Sequence, residues 1–403
     1  LTFDHVEYSD RTGANAKLLQ SILDKTTLLI MHNAQHDLMW LWASGFKYDG
    51  EIYDTMLAEY ILQRGQKQAV SLLACAERRN LTFQKDDTLK KYFKEGYNTN
   101  EIPLKELTFY LDCDLNVTAE LFHAINTEGY AKSESNGMDR VRAITCEVCK
   151  TLTRMYMRGF RVDRVALQRV REEFEQEKTG IEARLFKQIR ELMGDTPVNL
   201  NSPEQVSQVI FSRKVINKRE WVELFDFTSN LSEFRDAIAA NTTMLRKTIA
   251  FSCPTCNGIG SRYKKKKDGS NFKKSSKCQD CLARGYQLEE TNKLAGLGFN
   301  PPNKSWVSAN GFSTSKGNLD ILISTARTRS MGAAIKFLED IKRLSAVTTY
   351  LSSFVEGISN YTKEDGFLHV SLTQHITATG RFSGRNPNMQ NMPRGGTFPV
   401  KRV

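Results

Sequence analysis

Three side chains in the first third of the chain have the types and spacing that two-metal phosphodiester cleavage needs. Residues 27–31 form a short apolar run with β propensity that ends at His32 and Asn33, and a helix-like pattern follows. Asn33 is the expected N-cap of this helix, so Asp37 should lie in its first turns. Tyr110 and Asp114 are four residues apart and would project from one face of a later helix.

Such carboxylates suit a site that holds two Mg²⁺ ions roughly 3.5–4 Å apart, where the ions stabilise the attacking and leaving oxygens. The hydroxyl group of Tyr110 can then orient the attacking water. The residues alone also allow a second interpretation, in which Asp37 is a solvated helix residue and Tyr110 lies at the rim of an amphipathic helix. These three positions do not decide between the two.

Four cysteines in two C-x-x-C pairs indicate a metal site in the middle of the chain. Cys253 and Cys256 form the first pair, and Cys278 and Cys281 follow after 21 intervening residues. Two such pairs can supply four thiolates in tetrahedral geometry, with Zn–S distances of about 2.3 Å. The alternative is two redox or structural thiol pairs.

A cluster of lysines lies between the two cysteine pairs. Residues 253–284 contain nine lysines and arginines against two aspartates, a net charge of +7. A lysine loop held by a structural zinc would contact phosphates, and its binding would weaken steeply with salt. The alternative is a disordered, solvated loop. The central lysines are Lys264, Lys265, Lys266 and Lys267.

Residues 377–393 concentrate arginine, asparagine and glutamine, whose side chains donate hydrogen bonds without bringing negative charge. Two glycines and two prolines interrupt the segment, so we expect an ordered loop. Such donors suit the minor groove of a duplex, where every base pair offers nearly the same acceptors.

The surrounding patterns predict the elements that hold these groups. Residues 104–124 should form a helix with Leu107, Leu111, Leu115 and Thr118 on one stripe. Residues 172–193 read as a long charged helix, and residues 335–361 as one or two helices with apolar residues at core spacing. Asp365 and Gly366 mark a hairpin turn before a strand at residues 368–372.

Composition sets outer limits on the class of protein. The chain has 403 residues, enough for two or three domains, and a formal net charge of +11 that favours a polyanionic partner. No apolar run approaches the length of a membrane span, and no signal-peptide pattern is present. With its cysteines in metal-type pairs, the chain is expected to be soluble and cytoplasmic.

The C-terminal block resembles the T-x-T-G-R-x-S-x-x-x-P-N-x-Q-N-x-P segment of family A DNA polymerases, the bacterial polymerase I type. The resemblance implies that Arg381 reaches the minor groove near the primer end, with contacts from Thr379 and Gln374. It assigns Asn388, Gln390 and Asn391 to template and primer. Primer–template DNA is therefore an expected partner, together with deoxynucleotides in the full-length protein.

The N-terminal motifs resemble the proofreading exonuclease of the same family. His32-Asn33-x-x-x-Asp37 is similar to its second motif, Tyr110-x-x-x-Asp114 to its third, and Asp54-Thr55-Met56-Leu57-Ala58 to the segment between them. The resemblance implies that Asp37 and Asp114 bind Mg²⁺, that Tyr110 positions water and that Asn33 supports the site or the substrate.

Two motifs of the family do not occur in this sequence. The opening Asp-x-Glu has only Asp4-x-x-Glu7 as a candidate, with the wrong spacing, and the palm motif Asp-Tyr-Ser-x-x-Glu is missing. We therefore expect a fragment that binds primer–template, is inactive as a polymerase and holds an incomplete exonuclease site. The segment with the four cysteines would be an insertion relative to the family, and such insertions are unusual in cellular members, which favours a phage origin.

The expected fold is an α/β ribonuclease-H-like exonuclease domain, truncated at its N-terminus, followed by a mainly α-helical thumb with a zinc-knuckle insertion and the first strands of the palm. Landmarks similar to the thumb occur at residues 199–205 and 311–315, too far apart without an insertion. The expected boundaries are 1–135 for the exonuclease, 136–214 for the connector and first thumb helices, 215–300 for the insertion, 301–361 for the rest of the thumb and 362–403 for the palm.

Two other functions are compatible with parts of the sequence. One is a stand-alone 3′–5′ exonuclease with a zinc arm, although an exonuclease does not need the minor-groove block. The other is a non-catalytic zinc-containing DNA-binding protein. The sequence also leaves open whether the insertion contacts DNA or an accessory protein of replication.

Overall fold

The computed structural model describes residues 13–82, 89–130, 137–223, 231–266 and 271–392. The chain divides into two units, one formed by Leu1–Val170 with Ser352–Val403 and the other by Arg171–Leu351. Within the described ranges, no helix is both long and apolar enough to span a membrane.

The first unit is built on a pair of parallel strands. β1 (Leu28–Met31) and β2 (Glu51–Asp54) run in register from Leu28 opposite Glu51 to Met31 opposite Asp54. The intervening α2 (Ala34–Ala43) makes the crossover that a parallel pair requires, and α1 (Ala14–Lys25) precedes β1. The strand predicted at residues 27–31 is confirmed.

Helices cover both faces of this strand pair. Consecutive residues of β2 point to opposite faces, so Ile52 packs in one apolar cluster with Leu38, and Tyr53 packs in another with Leu121. This layering confirms the α/β character of the first unit. The elements after β2 are α3 (Thr55–Leu62), α4 (Leu72–Arg79), α5 (Leu89–Lys94), α6 (Leu104–Ala124), α7 (Met138–Arg158) and the short strand β3 (Phe160–Arg161).

The helix predicted at residues 104–124 is confirmed as α6, but its buried face differs from the predicted stripe. Val117 and Leu121 are fully buried, whereas Leu111 and Leu115 are more than half exposed. The repeat of leucines every four residues identified the helix correctly. It could not identify the buried face, because that depends on which side of α6 packs against α4 and β1.

The second unit is mainly helical outside its central insertion. Most of α8 (Arg164–Met193) belongs to this unit, and the helix extends the predicted charged helix by eight residues at its N-terminal end. Glu177 of this helix accepts two hydrogen bonds from Arg343, at 2.6 and 2.8 Å. The other helices are α9 (Pro203–Phe211), α10 (Lys218–Glu223), α11 (Leu231–Asn241), α12 (Lys316–Thr328) and α13 (Gly332–Thr349).

Short antiparallel strand pairs lie between α9 and α12, in and around residues 215–300, the segment that the sequence analysis predicts as an insertion. β4 (Arg213–Val215) pairs with β5 (Thr242–Met244), β6 (Arg246–Ser252) with β9 (Tyr286–Leu294), β7 (Ser261–Lys265) with β8 (Asn271–Lys277), and β10 (Val307–Ser308) with β11 (Gly311–Phe312). β6 is anchored to the end of α8. Asp195 donates its N–H to the carbonyl of Thr248 and accepts the N–H of Ala250, both at 2.9 Å.

Gly194 makes this anchor possible. Its φ is +74°, and a Cβ at this position would lie 2.1 Å from the carbonyl oxygen of Thr248. Only glycine fits such a close backbone approach. The insertion is therefore fixed to the helix at its base.

The chain returns to the first unit through α14 (Glu356–Tyr361). The helices predicted at residues 335–361 are confirmed, with Leu338 and Val347 fully buried. The single strand predicted at residues 368–372 is wrong. Two short strands replace it, because β12 (Phe367–Leu368) pairs with β3, while β13 (Ser371–Thr373) pairs with β14 (Ser383–Arg385).

Candidate functional site

The junction after β1 places Asp37 in the first turn of α2, as the sequence predicts. Asn33 occupies the N-cap position with a left-handed backbone, φ +67° and ψ +54°. The predicted N-cap position is therefore confirmed, although the side chain of Asn33 makes no capping hydrogen bond. The side chain is instead exposed beside the junction.

The cap is supplied by Asp54, which the sequence analysis treated only as part of a matching segment. Its carboxylate accepts the N–H groups of Asn33 at 3.0 Å and Ala34 at 2.8 Å. It also accepts the N–H groups of Met56 at 2.9 Å and Leu57 at 3.4 Å, and thereby caps α3. One buried carboxylate thus fixes the start of both helices.

Burial raises the pKa of Asp54, and its four N–H donors oppose that shift. The sequence did offer a signal for the capping of α3 by Asp54. Aspartate is favoured at the N-cap position, where its side chain accepts hydrogen bonds from the N–H groups two or three residues later. The link to the other helix could not be read from the sequence. It depends on β1 and β2 being adjacent.

Replacement of Asp54 by alanine should lower the free energy of unfolding by about 2–4 kcal/mol, because buried N–H donors lose their acceptor. Asp54→Asn keeps one acceptor oxygen and should cost less. Urea unfolding of the chain measures both effects. The matched control is Asp49→Ala, since Asp49 is exposed and pairs with Arg154 in solvent. Its cost should stay below about 1 kcal/mol. Equal destabilisation by Asp54→Ala and Asp49→Ala would contradict this role.

The pKa of Asp37 is raised by its surroundings. Its side chain reaches solvent, yet the protein around its carboxyl group raises its pKa to about 6. Burial is the largest cause, the charge of His36 opposes it, and the nearby carboxyl group of Asp54 adds to it. Below pH 6 a proton therefore competes with any metal ion for this carboxylate.

Tyr110 and Asp114 lie on α6, and both side chains are half-buried. α6 packs against β1, the strand that leads into Asn33 and Asp37. The structure therefore places the two predicted halves of the site on neighbouring elements. Their roles as metal ligands and water-positioning group stay predictions.

The four cysteines of the insertion form one buried cluster. All four Sγ atoms lie within 4.8 Å of one another, with 4.0 Å between Cys253 and Cys278 and 3.7 Å between Cys256 and Cys281. A tetrahedron with Zn–S bonds of about 2.3 Å has edges of about 3.8 Å. The sulfur positions therefore match a four-thiolate zinc site.

The two cysteine turns have the same backbone geometry. Gly260 donates its N–H to Sγ of Cys256 at 3.2 Å, and Gly285 donates to Sγ of Cys281 at 3.3 Å. The turns are also joined to each other, because Cys253 donates its N–H to the carbonyl of Gly285 and Cys278 donates to that of Gly260. This reciprocal pattern joins the two turns and brings the four sulfurs together.

These contacts change the acidity of the thiols. Burial opposes ionisation of Cys256, but the N–H of Gly260 and the other three cysteine side chains outweigh it and lower the pKa of Cys256 to about 7. Burial raises the pKa of Cys281 to about 11. A thiolate at neutral pH is the form that binds a metal ion.

The structure describes three of the four lysines that the sequence analysis predicts to contact phosphates. Lys264, Lys265 and Lys266 lie at the end of β7, and the side chains of Lys265 and Lys266 are exposed. Lys267 lies outside the described residues. Tyr263, which the sequence analysis did not select, is the exposed aromatic side chain of the same strand.

The C-terminal loop presents most of its predicted contacts to solvent. Thr379, Arg381, Asn388, Gln390 and Asn391 are exposed. Gln374 differs, because it is buried and its amide nitrogen donates to the carbonyl of Thr145 at 3.0 Å. The loop is held to α3 by Tyr60, whose hydroxyl donates to the carbonyl of Thr377.

Comparison with known proteins shows which class of protein this chain resembles. Residues 1–129 match the family model of the DNA polymerase A exonuclease, described as 3′–5′ exonuclease. The DNA polymerase of Bacillus phage SP01 is 25% identical over 400 residues, which are 97% of this chain and 37% of that protein. DNA polymerase I of Chloroflexus aurantiacus is 26% identical over 191 residues, 47% of this chain and 19% of that protein.

A solved structure gives the same result at the level of fold. The polymerase domain of Pol1 from M. smegmatis, in complex with DNA primer–template and dNTP, has a TM-score of 0.55 and 17% sequence identity. The match covers 97% of this chain and 47% of that one. The resemblance to family A DNA polymerases is therefore confirmed. Residues 1–129 are similar to the 3′–5′ exonuclease domain of that family, and the chain spans less than half the length of these relatives.

Proposed function

We propose that this chain is part of a template-directed DNA polymerase that replicates DNA and removes mismatched 3′ ends. The observation that carries the proposal is that one chain combines the exonuclease match at residues 1–129 with the exposed loop that holds Arg381. Primer–template DNA and deoxynucleotides are the proposed partners, by likeness to the mycobacterial neighbour. The proposed place of action is the cytoplasm, that of the host if a phage encodes the protein.

Within this proposal the first unit excises nucleotides. Asp37 and Asp114 would hold Mg²⁺, whose charge stabilises the attacking and leaving oxygens of the phosphodiester. The raised pKa of Asp37 supports this, because the protein around its carboxyl group disfavours the charged form and a bound cation would favour it. Tyr110 would orient the water, Asn33 would contact the substrate, and Asp54 holds the junction that carries Asp37.

The remaining elements would bind the duplex. We propose that α8, α9, α12 and α13 form the thumb and that β12, β13 and β14 begin the palm. The insertion would bind one structural Zn²⁺ through Cys253, Cys256, Cys278 and Cys281, as the sulfur spacing supports. The sequence contains no Asp-Tyr-Ser-x-x-Glu motif, so primer extension is proposed for the complete gene product.

The duplex contact can be tested on this chain. Arg381→Ala should weaken binding to a primer–template about tenfold, because a minor-groove arginine loses its contacts with base acceptors. Fluorescence anisotropy with a labelled primer–template measures the affinity. Arg154→Ala is the matched control, since it removes the same charge from an exposed position beside Asp49. The proposal fails if both variants bind the primer–template as tightly as the wild-type chain.

A further inference from the structure

The β7–β8 hairpin carries an unusually dense positive charge. Residues 261–277 contain eight lysines and arginines and one aspartate. The described cationic side chains of the two strands are Arg262, Lys265, Lys274 and Lys277, and all are exposed, as is Lys266 directly after β7. Charge of this density favours a polyanionic ligand.

Tyr263 lies in the middle of this charge and is 49% exposed. Ser275 is opposite Tyr263, and Lys277 is opposite Ser261. Residues two apart on paired strands share a face, so Tyr263 and Lys277 lie on the same face of the hairpin. The small side chain of Ser275 leaves the ring of Tyr263 accessible.

The hairpin is attached rigidly to the cysteine cluster. β7 begins directly after Gly260, and β8 ends directly before Cys278. Gly260 accepts the N–H of Cys278 at 3.0 Å, which closes the base of the hairpin. β6 is in turn anchored to Asp195 at the end of α8. A metal bound by the cysteines would therefore hold both strands of the hairpin in place.

The exposed ring distinguishes between two kinds of nucleic acid. Lysines alone can follow the phosphates of a duplex or of a single strand. In a duplex the base faces are stacked on each other, and an aromatic side chain outside the helix has no base face to contact. Single-stranded nucleic acid exposes its bases, and proteins bind it by aromatic stacking beside positive charge.

We propose that the β7–β8 hairpin binds single-stranded nucleic acid, with Tyr263 stacked on a base and Lys265 and Lys277, on the same face, near the phosphates. If the chain belongs to a DNA polymerase as proposed above, the natural ligand is the unpaired template strand. The binding itself does not depend on that assignment. It requires only the hairpin and its folded base.

The test uses the whole 403-residue chain. Fluorescence anisotropy would measure its affinity for a labelled thymidine oligomer of about 16 nucleotides, for the matching uridine oligomer and for a blunt duplex of the same length. Tyr263→Ala should weaken binding to the single strand about tenfold and leave duplex binding unchanged. Tyr263→Phe keeps an aromatic ring and should restore single-strand binding.

The β6–β9 strand pair offers a matched control for the loss of an aromatic side chain. Phe251 of β6 is 42% exposed, but it lies opposite Gln287, and its strand is paired with Glu289 and Glu290. Phe251→Ala should leave both affinities unchanged. Zinc content and thermal unfolding of each variant check that strands β6–β9 remain folded.

The possible results separate this proposal from the polymerase proposal. If Tyr263→Ala loses affinity for the DNA oligomer, the RNA oligomer or both, with duplex binding unaffected, the result supports the proposal. It also shows whether the hairpin binds single-stranded DNA, single-stranded RNA or both. Equal weakening of single-strand and duplex binding, or no change in either, overturns it. Failure of Arg381→Ala to weaken primer–template binding would count against the polymerase proposal and leave the Tyr263 result intact.

Discussion

Alanine in place of Asp114 in the complete gene product should lower the rate of 3′-terminal excision about a thousandfold and leave primer extension unchanged. The loss corresponds to several kcal/mol of transition-state stabilisation, as expected when a two-metal site loses a carboxylate ligand. Asp37→Ala should have an effect of the same order. Excision of a labelled mismatched primer, measured in single turnover, gives the rate.

Neighbouring side chains provide the controls for this experiment. Asp112 is an exposed carboxylate on α6, two residues from Asp114, and Asp112→Ala should leave excision unchanged. Tyr110→Phe removes the hydroxyl and should lower excision by about a hundredfold, since it positions water without holding the metal. If Asp37→Ala and Asp114→Ala left every activity unchanged, the protein would be a non-catalytic DNA-binding protein.

Serine in place of Cys256 should remove zinc from the chain and unfold the insertion. A closed four-thiolate site binds about one zinc ion per chain and contributes an apparent free energy of roughly 10–16 kcal/mol, which is then available for folding. Among the side chains that the structure describes between β6 and β9, few besides the four cysteines are buried. Zinc content should fall to near zero, and proteolysis between residues 245 and 295 should accelerate at least about tenfold.

A cysteine outside the cluster controls for thiol loss. Cys113 is half-buried on α6, and Cys113→Ser should keep both the zinc and the protease resistance. Chelation of the wild-type chain should reproduce the Cys256→Ser result. A full complement of zinc in Cys256→Ser would contradict the assignment of Cys256 as a zinc ligand. Protease resistance unchanged after chelation would contradict a structural role for the metal.

Features encoded by neighbouring residues were predictable from the sequence. The helices α6, α8 and α13 follow from repeats of apolar residues, and the junction of β1 with α2 follows from an apolar run that ends at polar residues. The two cysteine pairs indicated their own cluster, because each C-x-x-C turn positions its two sulfurs locally.

Features that depend on distant contacts were not predictable. Asp54 caps α2 only because β2 lies beside β1, and Leu115 is exposed only because α6 turns its other face inward. The strand predicted at residues 368–372 divides because β3, about two hundred residues earlier in the chain, pairs with Leu368. Tyr263 became a candidate through its exposure and its place between lysines on paired strands.

Primer extension by the complete gene product tests the central claim most directly. The purified protein would be incubated with a labelled primer–template, deoxynucleotides and Mg²⁺, and the products separated by length. The account predicts extension directed by the template, weakened when Arg381 is replaced by alanine. Binding of the primer–template without any extension would contradict it and would leave an exonuclease or a DNA-binding protein with a zinc arm.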